Sequence, residues 1–226
     1  MNTLLTPLFW LVTALALLEW AAVGMGWRAV HRAAKPGVML ALIAWFTQIG
    51  RWQGGLAWFG VGLVFSLLGD ILLLLPPRFF ISGLAAFLTA HLCYLVGFNL
   101  QPLAAGWQAA LTAVILLPPM IWLADTLRRG LARQPQWAHL VKPVLVYAAV
   151  IGLMLLSALF CFWREGWTLP AAAIASLGAL LFFASDTMLT VHRFLRRLPN
   201  GDLWVMVTYL SGQTAIAAAA LLAYAS

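Results

Sequence analysis

The 226-residue chain predicts an all-α integral membrane protein: a bundle of eight transmembrane helices with both termini on the non-cytoplasmic side. Three observations carry that expectation. The residues are 64% hydrophobic and 8% charged, with a mean hydropathy of +0.97; a soluble domain carries roughly 25% charged side chains. Apolar runs of about 20 residues, the length a helix needs to cross the hydrocarbon core, follow one another along the whole chain. Eleven of the 13 Lys and Arg residues fall in alternate connections between those runs.

The first run, 4–27, lacks a basic leader and continues too long for a cleavable signal peptide, so it reads as a span. The second, 36–53, is short and closes on Gly54-Gly55, a tight turn into the third, 56–75. The fourth covers 79–98. The fifth, 106–123, contains Pro118-Pro119. Two missing backbone donors predict that this helix kinks or ends early. Runs at 143–163, 168–191 and 203–225 complete the set. The longest polar segment, about 125–142, is too short for a soluble domain, so residues 1–226 form one transmembrane domain.

Arg28, Arg32 and Lys35, then Arg78, then Arg128, Arg129, Arg133 and Lys142, then Arg193, Arg196 and Arg197 share one side. Arg51 and Arg164 lie on the other, and the excess marks the first side as cytoplasmic. The net charge of +7 is therefore a topology signal and not a nucleic-acid footprint. The Ala, Leu, Trp and Arg usage suits a bacterial inner membrane. Cys93 and Cys161 lie in or near spans, without the loop framework of a disulfide scaffold, and read as free thiols. Trp10, Trp27, Trp52, Trp107, Trp163, Trp167 and Trp204 flank spans as interfacial belts. Gly60-x-Gly62 and Ala217–Ala220 are helix-packing signals.

The chain has six acidic residues, and three of them, Glu19, Asp70 and Asp186, sit inside apolar runs. A carboxylate at membrane depth costs about 2.5–3.5 kcal/mol on insertion scales, so it marks a pathway, a relay or a catalytic site. Asp70 precedes Pro76 by six residues, Asp186 precedes Arg193 by seven and Glu19 precedes Arg28 by nine. At about 1.5 Å per residue these carboxylates share a layer about 9–13 Å from the cytoplasmic side. Two carboxylates in one low-dielectric layer favour sharing a proton, which supplies an acid and a base for hydrolysis of an acid-labile bond. The competing reading is structural, with each aspartate bonding a neighbouring helix and fixing packing.

Glu19 either completes this acidic cluster, pairs with Lys35 or Lys142, or snorkels to the interface. Lys35 and Lys142 each open a span before proline and suit either a lipid phosphate or ordinary positive-inside anchoring. His91, mid-span, is a metal ligand, a proton shuttle or a hydrogen-bonded core residue. The other histidines, His31, His139 and His192, fall in predicted loops without ligand spacing, so no metal and no cofactor is expected. No serine-hydrolase elbow, phosphate loop, dinucleotide fingerprint or Cys-x-x-Cys pair is present. A faint internal echo runs through Lys35-Pro36, Asp70 and Tyr94, then Lys142-Pro143, Asp186 and Tyr209. Such degenerate repeats occur in transporters, so a small-molecule or lipid transporter with proton- or ion-coupled carboxylates is the alternative function.

Five segments taken in order are similar to the YhhN-like family of integral membrane proteins: F-S-L-L-G-D-I-L-L-L-L-P (65–76), F-I-S-G-L-A-A-F-L-T-A-H-L-C-Y-L-V-G-F (80–98), Lys142-Pro143 to Tyr147, G-A-L-L-F-F-A-S-D-T-M-L-T-V-H-R-F (178–194) and T-Y-L-S-G-Q-T-A-I (208–216). The resemblance runs from about Lys35 to the end and leaves Glu19 outside it. It implies a membrane-embedded lysoplasmalogenase that cleaves the vinyl-ether bond of a lysophospholipid to a fatty aldehyde and glycerophospho-ethanolamine or -choline. It implies that Asp70 and Asp186 are the catalytic residues. His91, Tyr94, Tyr147, Tyr209 and Gln213 would then contact or position the substrate, with Lys35 and Lys142 on the phosphate and Glu19 a further candidate. The partners expected are the lysophospholipid and the surrounding membrane lipids.

Overall fold

Hydrocarbon offers backbone groups no water, so an apolar run that crosses it must bond within itself. The computed structural model describes residues 4–104 and 106–225. It contains eight long helices: α1 Pro7–Gly24, α2 Arg28–Gly50, α3 Leu56–Leu74, α4 Phe80–Phe98, α5 Trp107–Ala132, α6 Val141–Phe160, α7 Leu169–Thr190 and α8 Gly201–Tyr224. There is no strand among the described residues beyond an isolated bridge between Leu103 and Arg164. Seven of the helices are long and apolar enough to cross a membrane; α2 matches them in length but begins with Arg28, Arg32 and Lys35. The all-α membrane bundle expected from the sequence is observed.

Two boundaries differ from expectation, and both concern proline. α2 starts at Arg28 rather than 36 and carries Pro36 inside it. The carbonyl that Pro36 leaves unbonded belongs to Arg32, which is exposed on the polar first turns, so the helix absorbs the loss. Pro118 and Pro119 do not end α5, which continues to Ala132. In an apolar medium, stopping there would free more backbone groups than two prolines remove. The polar stretch 125–142 is accordingly mostly helical: Asp125 pairs with Arg128 and Arg129 on the last turns of α5, and Pro135–Leu140 forms a 3-10 turn.

Neighbouring helices pair as hairpins, α1 with α2, α3 with α4, and α7 with α8. α6 joins α4 to α7, and α8 reaches back to α1, α2 and α3, closing a ring of seven helices. α5 lies outside that ring against α6. The tightest seam is α7–α8. A Cβ on Gly178 would meet the backbone nitrogen of Ile216 at 2.8 Å, and one on Gly212 would meet the carbonyl of Gly178 at 2.9 Å. Only glycine admits backbones this close, which is how helices associate where no hydrophobic force acts between them.

The ring interior is filled by Trp45, Phe46, Phe59, Phe98, Phe182 and Met154, all fully buried. Trp10, Trp27, Trp107 and Trp204 face outward, as expected of an interfacial belt. Trp167 does not: it is buried, with its ring 5.7 Å from Phe98 and 5.8 Å from Tyr224. Cys93 and Cys161 are free and buried, as read from the sequence.

Candidate active site

Asp70 lies on α3, buried among groups from α2 and α8. Its side chain is 1% exposed, the ammonium of Lys35 on α2 stands 3.0 Å from Oδ1, and the Tyr209 hydroxyl on α8 donates to Oδ2 at 2.8 Å. The Gly69-Asp70 pair has a local reason. A Cβ at Gly69 would sit 2.6 Å from the ring of Phe87 on α4, so glycine lets α4 approach beside the aspartate. One turn beyond Tyr209, Gln213 accepts a 2.7 Å hydrogen bond from the Tyr94 hydroxyl, with Ser66 3.5 Å from the same oxygen. Tyr94, Tyr209 and Gln213 thus build the buried network around and behind Asp70.

Asp186 on α7 belongs to a different cluster. The Tyr147 hydroxyl on α6 donates to Oδ2 at 2.5 Å. His91 on α4 places Nε2 2.8 Å from that hydroxyl and 3.2 Å from the same carboxylate oxygen, while its Nδ1 lies 3.3 Å from the Met154 sulfur. Ser185 donates to the Val205 carbonyl at 3.0 Å and so ties α7 to α8 next to the aspartate. His91 is fully buried, but the Asp186 side chain is 15% exposed.

The two aspartates therefore hydrogen-bond to separate partners and not to each other. Aromatic rings divide them: Phe182 lies 4.5 Å from the His91 ring and 5.3 Å from Tyr209, and Phe87 lies 5.8 Å from Tyr209. Each of these phenylalanines stands four residues before a polar residue of the Asp186 cluster on the same helix face, Phe87 before His91 and Phe182 before Asp186. That spacing was visible in the sequence, though its significance was not.

Glu19, fully buried on α1, pairs with neither lysine; its Oε1 stands 2.7 Å from Nδ1 of His31. His31 is in the first turn of α2, not in a loop, and His192 and His139 also lie on helical turns. Lys35 is inside α2 and 5% exposed, not at its start. Lys142 is exposed on α6, and no carboxylate pairs with it among the described residues. The echo between the two halves is thus not matched in pairing, since Lys35 meets Asp70 but Lys142 does not meet Asp186.

Asp186 faces two narrow apolar pockets of about 40 Å³ each. One lies between α5, α6 and α7 and is lined by Met120, Leu127, Tyr147 and Phe183. The other is lined by Leu73, Phe80, Phe87, Tyr147, Leu189 and Phe194. The Asp186 carboxyl thus stands at the edge of apolar walls.

The YhhN family matches residues 30–220 of this chain. The chain belongs to the YhhN family. Among proteins similar to this YhhN-family chain is lysoplasmalogenase TMEM86B of Homo sapiens, 36% identical over 159 residues, which are 70% of this chain and 61% of that protein. TMEM86B of Mus musculus is 33% identical over 215 residues, 94% of this chain and 84% of the relative. The lysoplasmalogenase of Mycobacterium tuberculosis is 32% identical over 177 residues, 72% of this chain and 58% of the relative. The chain thus spans less than two thirds of the human and mycobacterial proteins. No solved structure matches it. The family expected from the ordered Gly-Asp, His, Tyr, Ser-Asp and Gln segments is the one found.

Proposed function

We propose that this YhhN-family protein is a lysoplasmalogenase, a membrane-embedded hydrolase that converts a 1-alkenyl lysophospholipid and water to a fatty aldehyde and a glycerophospho-alcohol. The observation that carries the reading to a site is the Asp186–Tyr147–His91 cluster opening on apolar pockets. The site lies in the cytoplasmic half of a bacterial inner membrane, within a single transmembrane domain over residues 1–226.

A vinyl ether hydrolyses when a proton adds to its outer alkene carbon. The resulting oxocarbenium ion is trapped by water, and the hemiacetal collapses to aldehyde and alcohol. The chemistry needs an acid within reach of carbon, negative charge beside the cation and a base for the water. Asp186 suits all three steps. Its Oδ2 is oriented by Tyr147 and His91, and its partial exposure leaves the carboxyl open to a substrate in the pockets. Protonated, it donates to the alkene carbon. The carboxylate left behind stabilises the cation and then takes the proton from the attacking water, and His91 and Tyr147 hold it in place. One carboxyl acting first as acid and then as base is the economy of retaining glycosidases, which meet a similar cation.

Asp70 has a different part in this scheme. Its side chain is buried, and the ammonium of Lys35 stands 3.0 Å from Oδ1. It acts through Lys35 and Tyr209 as a positioning residue, with Tyr94 and Gln213 supporting Tyr209 from behind.

The test is turnover of purified protein on 1-alkenyl lysophosphatidylethanolamine beside its 1-acyl analogue, with aldehyde and fatty acid detected by mass spectrometry. Aldehyde from the alkenyl lipid, abolished in folded Asp186→Asn protein, is the expected result. No product from either lipid overturns the hydrolase reading, and uptake into proteoliposomes without product favours a carrier.

A further inference from the structure

Beside the apolar pockets lie two open clefts of about 400 Å³ each, one among the ends of α1, α2, α3, α7 and α8 and the other between the α5–α6 and α7–α8 connections. The clefts share Leu189, Arg193 and Asp202. The first is lined by Arg28, His31 and Lys35 as well, and the second by His192, Arg196 and Arg197. Part of the basic lining is already paired, His31 with Glu19 and Lys35 with Asp70. Among the described residues neither Arg28 nor Arg193 pairs with a carboxylate, and Asp202, 78% exposed, has only His192 within 3.5 Å. The guanidinium carbon of Arg193 lies 4.4 Å from the centroid of the Phe80 ring, a cation–π contact that leaves its N–H groups available.

The neighbouring apolar pocket supplies the second half of the argument. Leu73 and Leu189 line both the first basic cleft and the pocket that holds Asp186, and Phe80 under Arg193 is part of that pocket's wall. Charged groups, then leucines, then a carboxyl in an apolar slot is the order of parts in a single-chain lipid: headgroup, glycerol and scissile bond, tail.

We propose that the Arg28–Arg193 cleft is the headgroup site, binding the lipid phosphate between the two guanidiniums and turning the headgroup cation toward Asp202. This rests on the hydrolase reading for the identity of the lipid. The phosphate chemistry rests on the cleft alone. Guanidinium forks match phosphate oxygens with two parallel hydrogen bonds. The zwitterionic lining predicts a preference for ethanolamine and choline headgroups over a bare phosphate monoester.

The experiment measures binding without turnover. The probe is a saturated 1-alkyl lysophosphatidylethanolamine, which has no vinyl ether, beside the 1-alkyl glycerol that lacks the phosphate. Both are titrated into full-length protein in phosphatidylcholine nanodiscs. Arg28→Ala and Arg193→Ala are each expected to weaken the phospholipid about tenfold, the scale of a lost charge-assisted hydrogen bond. Neither should change binding of the glycerol ether. Arg133→Ala, a basic residue outside both clefts, should change neither probe. Asp202→Asn should weaken the ethanolamine lipid relative to 1-alkyl lysophosphatidic acid. Equal losses for both probes in the arginine variants, or no loss for the phospholipid, overturn the proposal. So does unaltered probe affinity combined with an arginine-dependent response to added phosphatidylglycerol, which assigns the cleft to bilayer lipid. Phosphate-specific binding in a protein that releases no aldehyde leaves the cleft standing and removes the hydrolase reading, so the two failures are distinct.

Discussion

At the scale of single residues, the proposed chemistry rests on the contrast between the two aspartates. Asp186 is the one with an open side. Its replacement by asparagine should lower kcat by at least about 10²-fold, the lower range of general acid–base catalysis, with the protein still folded. Tyr147→Phe and His91→Gln remove only orienting contacts, so each should cost less than Asp186→Asn in the same aldehyde assay. Asp70 makes the opposite prediction. Taking the carboxylate from the buried Lys35 leaves an uncompensated charge, which costs about 3–5 kcal/mol. Asp70→Asn should therefore lower the thermal unfolding midpoint in detergent, and Lys35→Met combined with Asp70→Asn should recover much of it. If the single variant melts like wild type, the ion pair is not holding α2 against α3.

At the scale of helices, the placing of Asp186 depends on how closely α7 and α8 approach, because Ser185 beside it on α7 bonds the Val205 carbonyl on α8. Gly212 is the critical position. A Cβ there would meet the Gly178 carbonyl and the Phe182 backbone nitrogen, both at 2.9 Å, and backbone cannot step aside as a side-chain tip can. Gly212→Ala is expected to lose folded protein in size-exclusion chromatography and, in whatever remains, activity. Gly37→Ala on α2 meets nothing within 4 Å and should behave as wild type. Equal yields for the two variants would mean that α7–α8 contact is not limiting. α5, peripheral and double-proline, lines one pocket beside Asp186 through Met120 and Leu127.

At the scale of the whole molecule, the distribution of basic residues predicts that the N- and C-termini both lie outside the cytoplasm. A C-terminal alkaline phosphatase fusion should be active in a bacterial host and a C-terminal green fluorescent protein fusion dark; the reverse pattern would invert the bundle and move the basic clefts to the outer leaflet. With the predicted orientation, Arg28, Arg193 and the Lys35–Asp70 pair all stand toward the inner leaflet.

Much of this was readable in one dimension. Hydropathy is summed along the sequence, so the eight helices and the free cysteines followed from it. So did the family, from the ordered motifs that carry both aspartates. Helix ends at Pro36 and Pro118-Pro119 were misjudged because proline rules come from water, where a broken helix finds other partners. Partnership across helices was not legible at all. Nothing in the sequence said that Glu19 meets His31 rather than a lysine, that Lys35 meets Asp70 while Lys142 meets no acid among the described residues, or that Phe87 and Phe182 stand between the two aspartate clusters. Those outcomes were left to the tertiary structure. In a membrane every outward face is apolar, so pattern ceases to tell one neighbour from another, and close fit between surfaces such as Gly178 and Gly212 chooses which polar groups meet.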